Sequence, residues 1–390
     1  MSTAAGALQR GGRLASNLLL PVLALLTALA VGAVVIIFSD PTTLDSWRSF
    51  FADPGEALSG SWQVVHDSYR ALFDSSLGSV QGLSETLTAA TPLMLAGLSV
   101  ALAFRAGLFN IGGEGQIIAG SIAAGWVGFT FDLPTIVHLP LALVAGFVGG
   151  ALWGAIAGVL KARTGAHEVI TTIMLNFIAL RLLDYLLTTE SFLRPGRADP
   201  ISKQVADTAE LPRLSDNPIY RLHLGFLIAL AAALFVWWLL FRSTVGFRMR
   251  AVGTNPNAAR YAGMSVGGTW VLSMALAGGL CGLGGTAQLL GVEHTLTGGF
   301  SGVGFDAIAL ALLGRSNPLG VVGAALLFGV LRAGSVGMQA ATSTPVDIIV
   351  VIQALVIAFV AAPALIRAIY RVRGGGGAGG AATFSTSWGA

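Results

Sequence analysis

The sequence predicts an all-α integral membrane protein of about ten transmembrane helices. Three observations carry that expectation. The mean hydropathy is +0.77. Charged residues are 11% of the chain, against roughly 25% in soluble domains. Apolar runs follow one another at lengths that cross ~30 Å of hydrocarbon. A soluble fold of 390 residues needs a polar surface, and this chain lacks the residues to make one. Its 52 glycines suit helices that pack closely in lipid.

Taken in order, Arg10 and Arg13 precede an uncharged run from Leu18 to Phe38. That run is longer than the ~7–15 apolar residues of a cleavable signal, so residues 1–17 are expected to be a cytoplasmic N-terminus followed by a retained first helix. Further apolar spans fall near 82–104, 107–131, 138–160, 168–188, 222–241, 266–291, 301–314, 317–336 and 346–366. The span at 301–314 is short enough to cross or to re-enter as a half-helix. The transmembrane domain thus covers 18–372, and the Gly/Ala/Ser-rich stretch 373–390 is expected to be a disordered tail.

Orientation follows from the cations. With both termini inside, Arg105, Lys161, Arg163, Arg242, Arg248, Arg250, Arg260, Arg315, Arg367, Arg371 and Arg373 all fall inside, and the acid-bearing loops 39–81 and 189–221 fall outside. Within the first outer loop, Trp62, Val65, Tyr69, Leu72 and Phe73 recur at helical spacing and predict a short amphipathic helix with a packed aromatic stripe. Spans two to five echo spans seven to ten, and the two halves would run in opposite senses, the pattern of an inverted repeat. Gly146, Gly150, Gly154 and Gly158 form one smooth face of the fourth span, a packing signal.

Several function classes drop out. The net charge of +3 does not point to nucleic acid, because Lys161 and Lys203 are the only lysines and the arginines sit at the ends of apolar runs. Cys281 is the single cysteine, and the five histidines lack metal-ligand spacing. Neither lysine follows a glycine in a phosphate-loop pattern, and no nucleophile–base set appears. The chain is therefore not expected to be an enzyme or to hold a cofactor or metal. Any ATP and Mg would be bound by a separate subunit.

Two segments carry polar residues where they are costly. The first is Gly107-Leu-Phe-Asn-Ile-Gly-Gly-Glu-Gly-Gln116. Each glycine costs ~1 kcal/mol of helix stability relative to alanine, and an acid at membrane depth costs ~2.5–3.5 kcal/mol. Asn110, Glu114 and Gln116 therefore either line a hydrated path or bond backbone groups freed by the glycines, and the two roles can coexist. Asn176 lies in an otherwise apolar span, and Gln288 and Asp306 hold corresponding places in the second half. All six are candidate path residues. The second segment, 242–264, holds Arg242, Arg248, Arg250 and Arg260 and no acid. Following Gly253, Asn255 can cap a helix, Pro256 suits its first position and Gly263 can end it. A two-turn cytoplasmic helix presenting Ala258 and Ala259 reads as a docking knob, or else as a snorkelling connector between spans.

Phe104-Arg-Ala-Gly-Leu-Phe-Asn-Ile-Gly-Gly-Glu-Gly-Gln116 closely resembles the signature of permease subunits of bacterial nucleoside and simple-sugar ABC importers, within the branched-chain amino acid and ribose permease superfamily. Similar pieces are Glu168-Val-Ile-Thr-Thr-Ile-Met-Leu-Asn176, Arg250-Ala-Val-Gly-Thr-Asn255, and Gly304-Phe-Asp-Ala-Ile-Ala-Leu-Ala-Leu-Leu-Gly314 followed by Asn317-Pro318. The resemblance covers roughly residues 60–370. It implies a type II ABC importer fold in the bacterial plasma membrane, with a second and different permease subunit. It also implies a duplicated-cassette ATPase docked on the cytoplasmic loops and an extracytoplasmic binding lipoprotein. Nucleosides are the implied cargo, with sugars or branched-chain amino acids as alternatives. The rival reading is an ion-driven transporter or channel using Glu114 and Asp306.

Overall fold

In the computed structural model, residues 22–371 are described apart from 198, 300, 343, 344 and 346. The expected N-terminal segment 1–17 and tail 373–390 lie outside these residues. Among the described residues, regular structure is helical, with only isolated bridges such as Leu193 to Ser202 besides. The helices are α1 (Val22–Ser39), α2 (Pro41–Arg48), α3 (Pro54–Ser76), α4 (Val80–Arg105), α5 (Gly113–Thr130), α6 (Thr135–Thr164) and α7 (Glu168–Leu186). There follow α8 (Gly225–Arg242), α9 (Thr244–Thr254), α10 (Pro256–Tyr261), α11 (Val266–Gln288), α12 (Val303–Leu313), α13 (Pro318–Thr342), α14 (Asp347–Ala361) and α15 (Pro363–Tyr370).

Each of the ten expected spans coincides with a helix, but seven helices are long and apolar enough to cross a membrane: α1, α4, α6, α7, α8, α11 with its π turn, and α13. The other three expected spans fall on α5, which opens on Glu114 and Gln116, and on the short apolar α12 and α14. Residues 107–112, expected within the third span, are not helical. With 11 residues, α12 is about 16 Å long, half the hydrocarbon thickness.

The described residues pack as two units, those up to Ser75 with those from Gly334 onward, and Ser76–Ala333. In the first, the Tyr69 hydroxyl donates to the carbonyl of Leu29 at 2.6 Å, and the indole Nε1 of Trp47 donates to Ser61 Oγ at 2.8 Å. The amphipathic helix expected in loop 39–81 is α3, at 23 residues longer than anticipated. Its buried face runs through Ala57, Ser61, Ser68 and Leu72, while Trp62 and Phe73 are exposed. The expected stripe is therefore corrected in part: Leu72 is buried and Val65 and Tyr69 are half-buried, but Trp62 and Phe73 lie outside the buried face. Small residues face inward, because Ala and Ser at four-residue steps let the helix approach its neighbours more closely than aromatic rings would.

The second unit is built on glycine. Along α6, Gly150 and Gly154 rest on the carbonyls of Gly278 and Met274 in α11, and Gly278 and Gly282 rest in return on the carbonyls of Gly150 and Gly146. Backbone meets backbone at the middle of the seam, while Gly146 faces the Thr286 side chain and Gly279 the Phe147 ring. Loop 189–221 closes one end of this unit. Val205 and Ala206 donate to the carbonyls of His294 and Gly128, and Leu211 donates to that of Leu290. Arg105, at the other end of α4, donates through Nε to the carbonyl of Ser316 at 2.8 Å.

Candidate functional site

The break between α4 and α5 leaves a run of backbone groups without helical partners, and each needs one inside a membrane. The break begins at Gly107, whose φ of +74° suits glycine and whose Cα faces Gly253 so closely that a methyl group would lie 2.9 Å from it. From there the chain runs along α7. Glu168, Thr172 and Asn176 stand four residues apart on one helix face. Glu168 Oε1 accepts from the amide of Phe109 at 3.4 Å, and Thr172 Oγ1 from that of Ile111 at 3.3 Å. Asn176 engages both ways: Nδ2 donates to the carbonyl of Ile111 at 2.9 Å, and Oδ1 accepts from the amide of Gly115 at 2.8 Å. Asn110 turns inward. Its Nδ2 donates to Gln116 Oε1, its Oδ1 accepts from Gln116 Nε2, and the same Oδ1 takes the amide of Gly112.

Glu114 points the other way, to α12. Its Oε1 accepts from the Ser301 hydroxyl at 2.8 Å and the Gly302 amide at 3.0 Å, and its Oε2 from the Gly304 amide at 2.7 Å. The carboxyl group of α5 thus caps the N-terminus of α12, nearly two hundred residues away in the chain. The two helices meet end to end. A methyl group on Gly304 would overlap the amide nitrogen of Glu114, so only glycine fits at that point. Two N-terminal helix ends, each a partial positive charge, face one acidic side chain that serves both. The ends then diverge. α12 finishes where Arg105 binds the carbonyls of Arg315 and Ser316, and α5 finishes beside Val205 and Ala206.

Asn110, Glu114, Gln116 and Asn176 are thus brought together, and all four are closed off from the surface. Asp306, one turn into α12, is half-buried and close enough to Arg332 and Glu114 to feel their charge. Gln288 stands apart at the end of α11, half-buried, its Nε2 donating to Glu293 Oε1 at 3.0 Å. Sequence reasoning missed Glu168, Thr172, Ser301 and Gly304 as parts of this arrangement. The spacing of Glu168, Thr172 and Asn176 was the available signal.

On the cationic side, Ser243 caps α9 and Asn255 caps α10, Oδ1 of Asn255 accepting from the Ala258 amide at 3.0 Å. Pro256 takes the first position and Gly263 follows the helix with φ +78°. The expected presentation of Ala258 and Ala259 is corrected in part. Ala259 is buried in a cluster with Val252 and Val266, against which Met264 and Trp270 pack, because a six-residue helix needs one apolar anchor to stay folded. The exposed face is Asn257, Ala258, Arg260 and Tyr261. Gly253 likewise turns inward, against the backbone of Arg105 to Gly107. The Arg105 and Arg250 guanidinium groups lie 5.7 and 5.5 Å from the Phe241 ring centre. Among the described residues, no group of three or more His, Cys, Asp or Glu could hold a metal ion.

Residues 82–361 match the family model described as the permease component of branched-chain amino acid transport systems. The chain belongs to that family. It is a multi-pass membrane protein and, as a permease component, is not itself an enzyme. It is 41% identical over 357 residues to a guanosine ABC transporter permease of Bacillus subtilis, covering 90% of this chain and 95% of that one. A glucose ABC transporter permease of Haloferax volcanii is 37% identical, over 87% of this chain and 86% of its own length. A nucleoside ABC transporter permease of Lactococcus lactis is 38% identical, over 77% and 84%. B. subtilis and L. lactis each also hold a second permease of the same description, 29% and 27% identical to this chain. No solved structure matches.

Proposed function

We propose that this chain is one of two unlike permease subunits of an ATP-driven importer and forms half of its path for nucleosides. The observation that carries the reading is the likeness to guanosine and nucleoside permeases over most of both chains, together with paired permeases in the same organisms. In this reading Asp306 and Gln288, both partly accessible, contribute polar groups to the path. Asn110, Glu114, Gln116 and Asn176 fix the shape of the break beside it. Both termini lie inside, so the cationic end with α9 and α10 faces the cytoplasm. A duplicated-cassette ATPase, which binds the ATP and Mg, docks on α10, and an extracytoplasmic lipoprotein delivers cargo. The membrane is the bacterial plasma membrane. Glucose is the second reading of the cargo, supported by the haloarchaeal relative.

The test is labelled guanosine uptake in cells carrying this chain, its partner permease, the ATPase and the lipoprotein, with glucose and other nucleosides as competitors. Uptake is expected to require the ATPase and to be inhibited by nucleosides and not by glucose. Uptake that persists without the ATPase and collapses with the ion gradient would sink the importer reading. Inhibition by glucose alone would move the cargo to sugars. Ala258→Glu with Tyr261→Glu, both on the exposed face of α10, is expected to release the ATPase while leaving the chain in the membrane. Retention of the ATPase by that double variant would refute docking on α10.

A further inference from the structure

The three-residue turn between α6 and α7 carries an ion pair with neighbours on both sides. Lys161, in the last turn of α6, donates through Nζ to Glu168 Oε2 in the first turn of α7. The same ammonium lies 5.1 Å from the centre of the Trp270 ring. Trp270 packs against the cluster that holds Ala259, the buried anchor of α10. On its other oxygen Glu168 takes the amide of Phe109, the start of the broken segment. Thr172 and Asn176 continue that hold along the same face of α7 up to Gly115. Next along the chain, Glu114 caps α12. An unbroken series of contacts therefore runs from α10 through Trp270, Lys161 and Glu168 to the break and on to α12. A second tie lies at the same end of the break, where Gly253, in the last turn of α9 just ahead of α10, abuts Gly107.

We propose that Lys161 and Glu168 are positioning residues for transport, coupling displacement of α10 to displacement of the segment Phe109–Gly115. The proposal rests on the reading of α10 as the ATPase-docking helix. Its physical basis is the character of the pair. The side chains are 20% and 6% exposed, and a pair this far from water adds little to stability that apolar residues could not supply. What the pair adds is direction: a cation held between the α11 ring that packs against the anchor of α10 and a carboxylate that holds the break. If Lys161 and Glu168 merely brace the turn, a neutral pair of similar size serves as well. If they relay motion, it does not.

The experiment compares wild type, Lys161→Arg and Lys161→Met with Glu168→Gln, each purified with the partner permease and ATPase. The complexes are reconstituted in liposomes with the binding protein. Guanosine uptake, ATP hydrolysis and the amount of bound ATPase are read on the same samples. The double variant keeps the acceptor for Phe109 and leaves no unpaired buried charge, so it is expected to assemble and to hydrolyse ATP within about twofold of wild type, with uptake per ATP lowered about tenfold or more. Lys161→Arg, which keeps the cation on ring and carboxylate, is expected to stay within about threefold in uptake per ATP. Uptake per ATP unchanged in the double variant, or loss of bound ATPase in it, overturns the relay. In otherwise wild-type protein, Asn257→Cys is expected to cross-link to the ATPase. Failure of that cross-link sinks the docking reading and the relay with it, whereas a cross-link with unchanged uptake per ATP sinks the relay alone.

Discussion

Glu114 accepts three hydrogen bonds, two from backbone amides that have no other role than to be capped. Replacing it tests whether its work is to accept. In Glu114→Leu the amides of Gly302 and Gly304 are stranded, at about 1–3 kcal/mol each. Two helix ends also lose a facing negative charge, worth about 0.3–1 kcal/mol each. Together these place the destabilisation at about 3–8 kcal/mol. Glu114→Gln is instructive because it keeps the shape. A carboxamide has one acceptor oxygen, so its NH2 must face either the Gly304 amide or the Gly302 amide, donor against donor. One amide is stranded, and with the lost charge the expected destabilisation is about 2–5 kcal/mol. The sequence alone would let glutamine pass as a mild change, whereas the geometry makes it a severe one. The assay is unfolding of the purified chain in mixed detergent, followed by tryptophan fluorescence, with uptake normalised to inserted protein alongside. The order wild type, Gln, Leu is expected in both. A glutamine variant that unfolds with wild type, or a leucine variant no worse than glutamine, would refute the capping argument.

Gly304→Ala sets a methyl group into the backbone of Glu114 and is expected to destabilise by about 3 kcal/mol, the upper end of the overpacking range. Gly323→Ala meets open space in α13 and should stabilise by about 0.4–1 kcal/mol, so the same detergent titration reads both signs. Asn176→Leu strands the amide of Gly115 and the carbonyl of Ile111 and should cost about 2–6 kcal/mol. Asn176→Asp keeps the acceptor for Gly115 but sets an acid against the carbonyl of Ile111 at membrane depth, at a further ~2.5–3.5 kcal/mol, and so should recover little of that. His223, just ahead of α8, is a pH probe. Burial, followed by the charges of His294 and Arg221, lowers its pKa from 6.5 to about 4. Its lowered pKa means that the unfolded chain takes up the proton first, so stability is full above pH 6.5 and falls as pH drops toward 4, by about 3 kcal/mol in total. His223→Gln should flatten that pH dependence in thermal melts, and an unchanged pH profile would exclude His223 as its source.

Much of this was legible in the chain. Hydropathy located the helical segments because a membrane helix must satisfy its backbone alone and so appears as one long apolar run. The ends of α10 were legible because Asn255, Pro256 and Gly263 act on their own neighbours. What distant residues decide was not legible. Glu114 was marked as costly, but its partners at Ser301 to Gly304 lie almost two hundred positions on, and no local pattern names them. Asn176 was singled out without Glu168 and Thr172, whose role appears only once the break lies along α7. Ala259 looked as available as Ala258, and only the packing of Val252, Val266 and Trp270 separates them. On α3 the aromatic residues suggested a stripe, while the small residues between them set the buried face.

The seam between α6 and α11 bears on how a map of tolerated substitutions would look. At Gly150, Gly154, Gly278 and Gly282 the neighbour is a carbonyl of the opposite backbone, so no rotamer change can make room for a side chain. Nearly any replacement there should be rejected, because all four positions are buried between two helices of this chain. A scan of such variants would light up a line of intolerant positions through the middle of the protein, as strong as any signal from the break at Gly107 to Gln116. Read by intensity alone, that line would pass for a binding site. Its spacing gives it away: hits recur every four residues on both helices, and alanine is refused as firmly as leucine. A recognition site would instead grade its penalties by the chemistry of the substituent.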